Sequence, residues 1–114
     1  MAYGRRVVFE DVREIAFGAV GANYTAVGGA LTDHARLVFV TSTLDAEVYL
    51  SLDGVNDHQR YPANFHKTLD LTANKVRDDG FFVPQGTIFY VKRVAGAPTS
   101  GALWIEVITA GGGV

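Results

Sequence analysis

Between Asp45 and Leu71 the chain alternates apolar and polar residues, a pattern with the period of a strand and not of a helix. Ala46, Val48, Leu50 and Leu52 fall on one phase, with Glu47, Tyr49 and Ser51 on the other. Successive strand side chains point to opposite faces, so one side of this segment is apolar and the other faces water or a partner. Asp53-Gly54 then supplies a turn, because glycine reaches positive φ without steric cost and aspartate bonds its own backbone. The pattern resumes beyond Pro62 with Phe65, Thr68, Leu69 and Leu71.

The rest of the chain repeats this grammar. Arg5 to Phe9 reads as a short strand or an arm, and Val12 to Val20 as a strand whose inward pair is Ile15 and Phe17. A helix over Phe9 to Phe17 is the alternative, but Gly18 and Gly21 would stop it at once. Ala35 to Thr41 is apolar on both phases, the mark of a strand covered on two sides. Thr72 to Gly80 is polar and reads as the longest loop. Thr87 to Val94 is rich in β-branched and aromatic residues. Ala102 to Thr109 closes the series, again largely apolar on both phases. About eight short antiparallel strands with glycine, proline and aspartate breaks predict an all-β, single-domain β-sandwich or jelly roll. Residues 1–11 form its N-terminal arm or edge strand, 12–110 its body and 111–114 a glycine-rich tail.

A chain of 114 residues makes one core and buries roughly 65% of the surface its unfolded form exposes. Apolar residues make up 48% and charged ones only 19%, against a usual charged share of about 25%. That leaves more apolar surface than a small core hides, which predicts an oligomer or a docked subunit. The formal charge of −2 gives no electrostatic footprint for nucleic acid, and Arg5-Arg6 and Lys92-Arg93 are isolated pairs. No segment has the ~18 apolar residues of a membrane span. Glu10 and Asp11 interrupt the start before an export signal forms, so the Asn23-Tyr24-Thr25 sequon reads as a chance match. With no cysteine, stability must come from packing.

Chemistry finds little purchase. His34, His58 and His66 lack tight ligand spacing, and a His58/His66/Asp57 site reads as ordinary surface imidazoles. Asp53, Asn56 and Asp57 crowd three oxygen donors into one turn, but without the alternation and terminal glutamate of a calcium loop. There is no G-x-S-x-G elbow and no phosphate cradle. Glu10-Asp11 and Asp78-Asp79 are adjacent pairs that point apart in a strand. No cofactor and no enzyme activity are expected. Tyr49, Tyr61, Tyr90 and Trp104 are candidates for a sugar-stacking platform, against core or interface packing for Trp104.

As a set, three segments resemble small virion proteins of tailed bacteriophages. They are Ser51-Leu52-Asp53-Gly54-Val55-Asn56, Lys67 to Lys75 (KTLDLTANK) and Phe82 to Lys92 (FVPQGTIFYVK), followed by Ala97-Pro98-Thr99-Ser100-Gly101 and Leu103-Trp104-Ile105. The similarity spans about residues 35–110 and is greatest to the jelly-roll capsid decoration, or cement, proteins of short-tailed phages. The resemblance implies a structural protein, made in the host cytoplasm and carried on the virion. It would bind the major capsid protein on the outside of the head and associate with itself as a dimer or trimer. A tail, adaptor or baseplate component, or a carbohydrate- or host-surface-binding module, is the alternative. The expected interface residues are Arg5, Arg6, Val7, Val8, Phe9, Tyr49, Tyr61, Phe81, Phe82 and Trp104, with the arm and the Thr72–Gly80 loop reaching across.

Overall fold

The computed structural model describes residues 8–70, 75–76, 79–80 and 83–109. They form strands β1 (Val8–Phe9), β2 (Arg13–Ala16), β3 (Thr25–Ala26), β4 (Ala35–Ser42), β5 (Val48–Ser51) and β6 (Gln59–Tyr61). Strands β7 (Phe65–Asp70), β8 (Lys75–Val76), β9 (Asp79–Gly80), β10 (Tyr90–Arg93) and β11 (Ala102–Thr109) follow. One turn of 3-10 helix, Phe17–Ala19, leads out of β2.

Four antiparallel pairs define the architecture: β2 with β11, β3 with β10, β4 with β7 and β5 with β6. The first strand of the series pairs with the last, the second with the next to last, and so inward, as in one long hairpin rolled upon itself. Rolling it gives two sheets, ordered β2-β11-β4-β7 and β3-β10-β5-β6. The chain is therefore an all-β sandwich with jelly-roll order, as the strand pattern predicts. Strand β1 extends the edge begun by β2, pairing Val8 with Thr109 and Phe9 with Ile108 on β11. The β8–β9 pair matches Lys75 with Gly80, so a two-stranded ribbon lies in the stretch read as loop.

The core lies between the sheets. Val38, Val40, Leu103, Ile105 and Val107 project from one sheet toward Val48, Leu50, Phe89 and Val91 on the other side. Each fully buried side chain of this kind contributes roughly 1.5–3 kcal/mol by leaving water. Ser42 and Ser51 are buried too, but their hydroxyls accept the backbone N–H groups of Leu44 and Asp53. The turn after β5 forms at Asp53-Gly54, with Gly54 at φ +76 against the Tyr90 ring.

Two expectations are corrected. Phe17 does not join Ile15 in the core; it is 41% exposed because the chain leaves the sheet at Ala16 and coils into the 3-10 turn. The strand expected over Thr87 to Val94 pairs as a ladder only from Tyr90 to Arg93. Ahead of it the carbonyls of Thr87 and Phe89 accept single bonds from Leu31 and Val27, which belong to a loop.

Candidate interaction surface

Strands β4 and β11 are largely apolar on both phases, and among the described residues the sandwich covers only their inner side. Because cross-strand partners share a face, the register defines what lies outside. One row runs Glu14, Trp104, Thr41, His66 across β2, β11, β4 and β7. The next holds Glu106, Phe39 and Thr68, and a third Phe9, Ile108, Leu37 and Asp70. Trp104, Phe39, Leu37 and Ile108 are partly exposed on this face. Small Thr41 and Thr68, between Phe39 and His66, leave a shallow groove of about 470 Å³.

The β1–β2 edge of that sheet is the second apolar feature. Val8, Phe9 and Val12 stand 37%, 74% and 59% exposed. Between β1 and β2 the strand is interrupted, and the Glu10 N–H bonds the Val107 carbonyl to carry the edge across the break. The interruption lets Glu10 and Arg13 turn inward and meet at 2.8 Å. Glu10 also accepts from the Thr32 N–H and hydroxyl and the Asp33 N–H. Arg13 donates to the carbonyls of Asp11, Gly29 and Ala30. Burial acts to raise the Glu10 pKa, but the bonds from Thr32 and Arg13 outweigh it and hold the carboxyl below its ordinary value. A groove of about 480 Å³ runs along this clip, from Phe9 and Val12 to Gly28 and Thr32.

The opposite sheet carries a polar aromatic cluster. Lys92 on β10 lies 4.6 Å from the Tyr24 ring centroid and 5.7 Å from that of Tyr49 on β5. It pairs with Asp57 at 3.3 Å, and Asp57 accepts the Tyr24 hydroxyl. Burial, followed by that bond and the nearby carboxylates, holds the Tyr24 phenol well above its usual value. The Tyr24 hydroxyl and the Lys92 charge hold the Asp57 carboxyl low.

The expected interface residues divide among these regions. Val8, Phe9 and Trp104 lie on the first sheet's edge and outer face, and Tyr49 on the opposite sheet. Tyr61 belongs to no surface: it is 1% exposed and its ring lies tilted against that of Phe65, centroids 4.4 Å apart. Burial raises its phenol to about 12. Arg5, Arg6, Val7, Phe81 and Phe82 lie outside the described residues, as do residues 1–7 of the arm and 111–114 of the tail. Of the four-membered aromatic platform, Tyr49 and Tyr90 share one face of the opposite sheet while Tyr61 is buried and Trp104 lies on the first sheet, and Tyr24 joins Tyr49 across Lys92.

The oxygen donors of the 53–57 turn are already engaged. Asp53 accepts the N–H groups of Val55 and Asn56, the Asn56 amide and the Ser51 hydroxyl, which together hold its carboxyl far below the usual range. His58 Nδ1 accepts the Leu52 N–H, while His66 sits on the other sheet. Among the described residues no three or more His, Asp or Glu side chains converge as a metal site. No family model matches the sequence, and no curated protein matches it.

Proposed function

We propose that this chain is a structural virion protein that binds the outside of a phage head and clamps neighbouring shell subunits. The sequence resemblance motivates this reading. The observation that carries it furthest is the apolar edge of β1 and β2, where Val8, Phe9 and Val12 remain in water. An edge strand with spare backbone groups can add to a neighbouring sheet, and exposed apolar side chains give such an addition its affinity. The Glu10–Arg13 clip fixes this edge to the body, so little ordering entropy is lost on docking. A protein that binds the expanded shell and not its precursor stabilises the expanded state by mass action. Symmetry-related copies multiply modest contacts into firm retention.

Mass spectrometry of purified particles tests the reading. A cement protein is present at a stoichiometry comparable to the shell subunit, and the double variant Phe9→Ser/Val12→Ser is lost from particles while remaining folded. A low copy number places the protein in the tail or adaptor instead. Absence from particles ends the virion reading.

A second reading has its own support, since Tyr24, Tyr49 and Tyr90 lie near one another on the opposite sheet. Tyrosine rings flanked by Asp57 and Lys92 suit a carbohydrate. Glycan-array binding that disappears in Tyr49→Ala favours this reading over the first.

A further inference from the structure

Strand parity decides which backbone groups the edge of the first sheet offers. Strand β2 ends that sheet, with β11 as its one strand neighbour among the described residues. In an antiparallel pair, residues that exchange backbone bonds alternate with residues whose N–H and C=O point away from the partner. The Phe17 N–H donates to the Gly101 carbonyl, so the register assigns the bonding positions of β2 to Ile15 and Arg13, opposite Leu103 and Ile105. Glu14 and Ala16, opposite Trp104 and Ala102, are the alternate positions. Their N–H and C=O groups point outward from the sheet, one strand period or roughly 6.6 Å apart. No backbone bond outside the strand ladders uses them among the described residues.

The side chains beside this edge carry one sign of charge. Asp11 and Glu14 are exposed and join no ion pair among the described residues, whereas Arg13 is buried against Glu10. The groove of about 480 Å³ that runs here has Phe9 and Val12 on its wall and the backbone of Gly28, Gly29 and Ala30 as its floor. Gly28 lies directly on the Arg13 side chain at φ +75, and a Cβ there would stand 2.6 Å from Arg13 Cγ. The floor is therefore bare backbone at that point.

We infer that the edge takes up an extended segment of another protein as a strand added beside β2, with a basic residue opposite Glu14 and apolar residues on either side of it. The residue opposite Glu14 exchanges both backbone bonds with it and shares its outer face, where the carboxylate meets a Lys or Arg. The flanking residues point the other way, toward the Gly28–Ala30 backbone that covers Arg13, and apolar side chains leave water there. An acidic segment would instead set its charge against Asp11 and Glu14. The segment's source, a subunit of the shell, rests on the virion reading; the backbone positions and the charge of the segment go beyond it.

Ala16→Pro separates strand addition from folding. Ala16 has φ −81, close to the value proline imposes, and its N–H faces away from β11. The ring removes the outward donor and places its own bulk on the edge, which is how natural sheets block such additions.

Two-dimensional NMR on the isotope-labelled full chain tests the inference. The probe is a short synthetic peptide of threonine and valine in strict alternation, with lysine in place of the central threonine. On titration the Glu14 and Ala16 amides shift and gain protection from solvent exchange. A peptide with glutamate at the centre binds about fivefold weaker or worse, and Glu14→Lys reverses that preference. Ala16→Pro weakens binding about tenfold or more, and so does N-methylation of the central lysine of the peptide, which tests the same bond in the wild-type fold. Unshifted Glu14 and Ala16 amides at millimolar peptide overturn the inference, as does equal affinity for the lysine, glutamate and N-methyl peptides. Resonances of residues 1–7 that move in Ala16→Pro without peptide overturn it too, since the edge would then hold the chain's own N-terminus. Particle retention lost in Phe9→Ser/Val12→Ser but kept in folded Ala16→Pro overturns strand addition and leaves the virion reading intact. Peptide binding by a protein absent from particles does the reverse.

Discussion

Glu10 and Arg13 form an ion pair at 2.8 Å in which both side chains are almost wholly withdrawn from water, at 6% and 7% exposure. The pair sits at the break between β1 and β2 and fastens the N-terminal edge to the Gly29–Asp33 loop through hydrogen bonds from both partners. A strand phase that brings Arg13 inward beside Ile15 would bury an unpaired charge without Glu10.

Arg13→Ala leaves the Glu10 carboxylate buried with its cationic partner gone. Its remaining bonds to Thr32 and Asp33 soften the penalty, so the loss is about 3 kcal/mol. Urea unfolding measures it, and a change below about 1 kcal/mol would mean the edge detaches without disturbing the body. Arg13→Met, which refills the space against Gly28, behaves like Arg13→Ala if charge dominates and is milder if packing does.

The same clip sets an acid limit. The Glu10 pKa is lowered in the folded chain, so over the acid range the unfolded chain binds more protons than the folded one. Its contribution is complete above the unfolded carboxyl value and is lost as pH falls through the lower folded one. Asp45, Asp53 and Asp57 are lowered as well, by bonds from Thr99, from Asn56 and Val55, and from Tyr24 respectively, and act in the same direction. Thermal melts from pH 6 downward therefore show a falling midpoint that steepens below about pH 4. Glu10→Gln starts from lower stability and falls less steeply. An equal slope in the variant would remove Glu10 from the acid response.

How much of this could be read in advance depends on the range of the interaction. The Ala102–Thr109 strand was legible to its bounds because β-branched and aromatic residues fill it between Gly101 and a glycine tail. Ala35 to Thr41 was legible for the same reason, one residue short of the strand Ala35–Ser42. Phe17 misled because a residue on the right phase turns outward once the chain leaves the sheet. Tyr61 offers no local sign of burial between Arg60 and Pro62; it is buried because Phe65 returns over it and Lys67 caps its ring at 5.7 Å. The Tyr24–Lys92–Asp57 cluster joins residues more than thirty positions apart, and only the β3-β10-β5 register brings them together.

Tyrosine titration reads two of these environments directly. Burial keeps Tyr61 neutral up to about 12, and Tyr24 resists ionisation still further. Absorbance near the phenolate band then shows the Tyr61 and Tyr24 part of the signal delayed beyond the ordinary tyrosine range or released by unfolding. For Tyr61 the raised pKa favours the folded chain below 10, and that advantage is lost as pH rises toward 12. Tyr61→Phe reduces the delayed amplitude and, since the hydroxyl has no partner among the described residues, leaves stability unchanged or improved. A marked loss of stability in Tyr61→Phe would contradict the absence of a partner for that hydroxyl.

Gly101 is the position where the backbone itself is least forgiving. It lies just before β11 at φ +92, and a Cβ placed there would stand 2.1 Å from the Thr43 carbonyl oxygen and 2.9 Å from the Leu44 nitrogen. Both atoms belong to backbone held by neighbouring bonds, since the Thr43 N–H donates to the Ala102 carbonyl at 2.8 Å. Neither can yield as a flexible side chain would. Gly101→Ala combines the strain of a left-handed backbone with a steric clash, and costs about 3 kcal/mol or more. Gly96→Ala, with open space around the new methyl, stays within about 0.5 kcal/mol of wild type. Urea midpoints of the two variants side by side check the contrast. Equal stability would show that β4 and β11 do not approach as closely at that corner as the geometry requires.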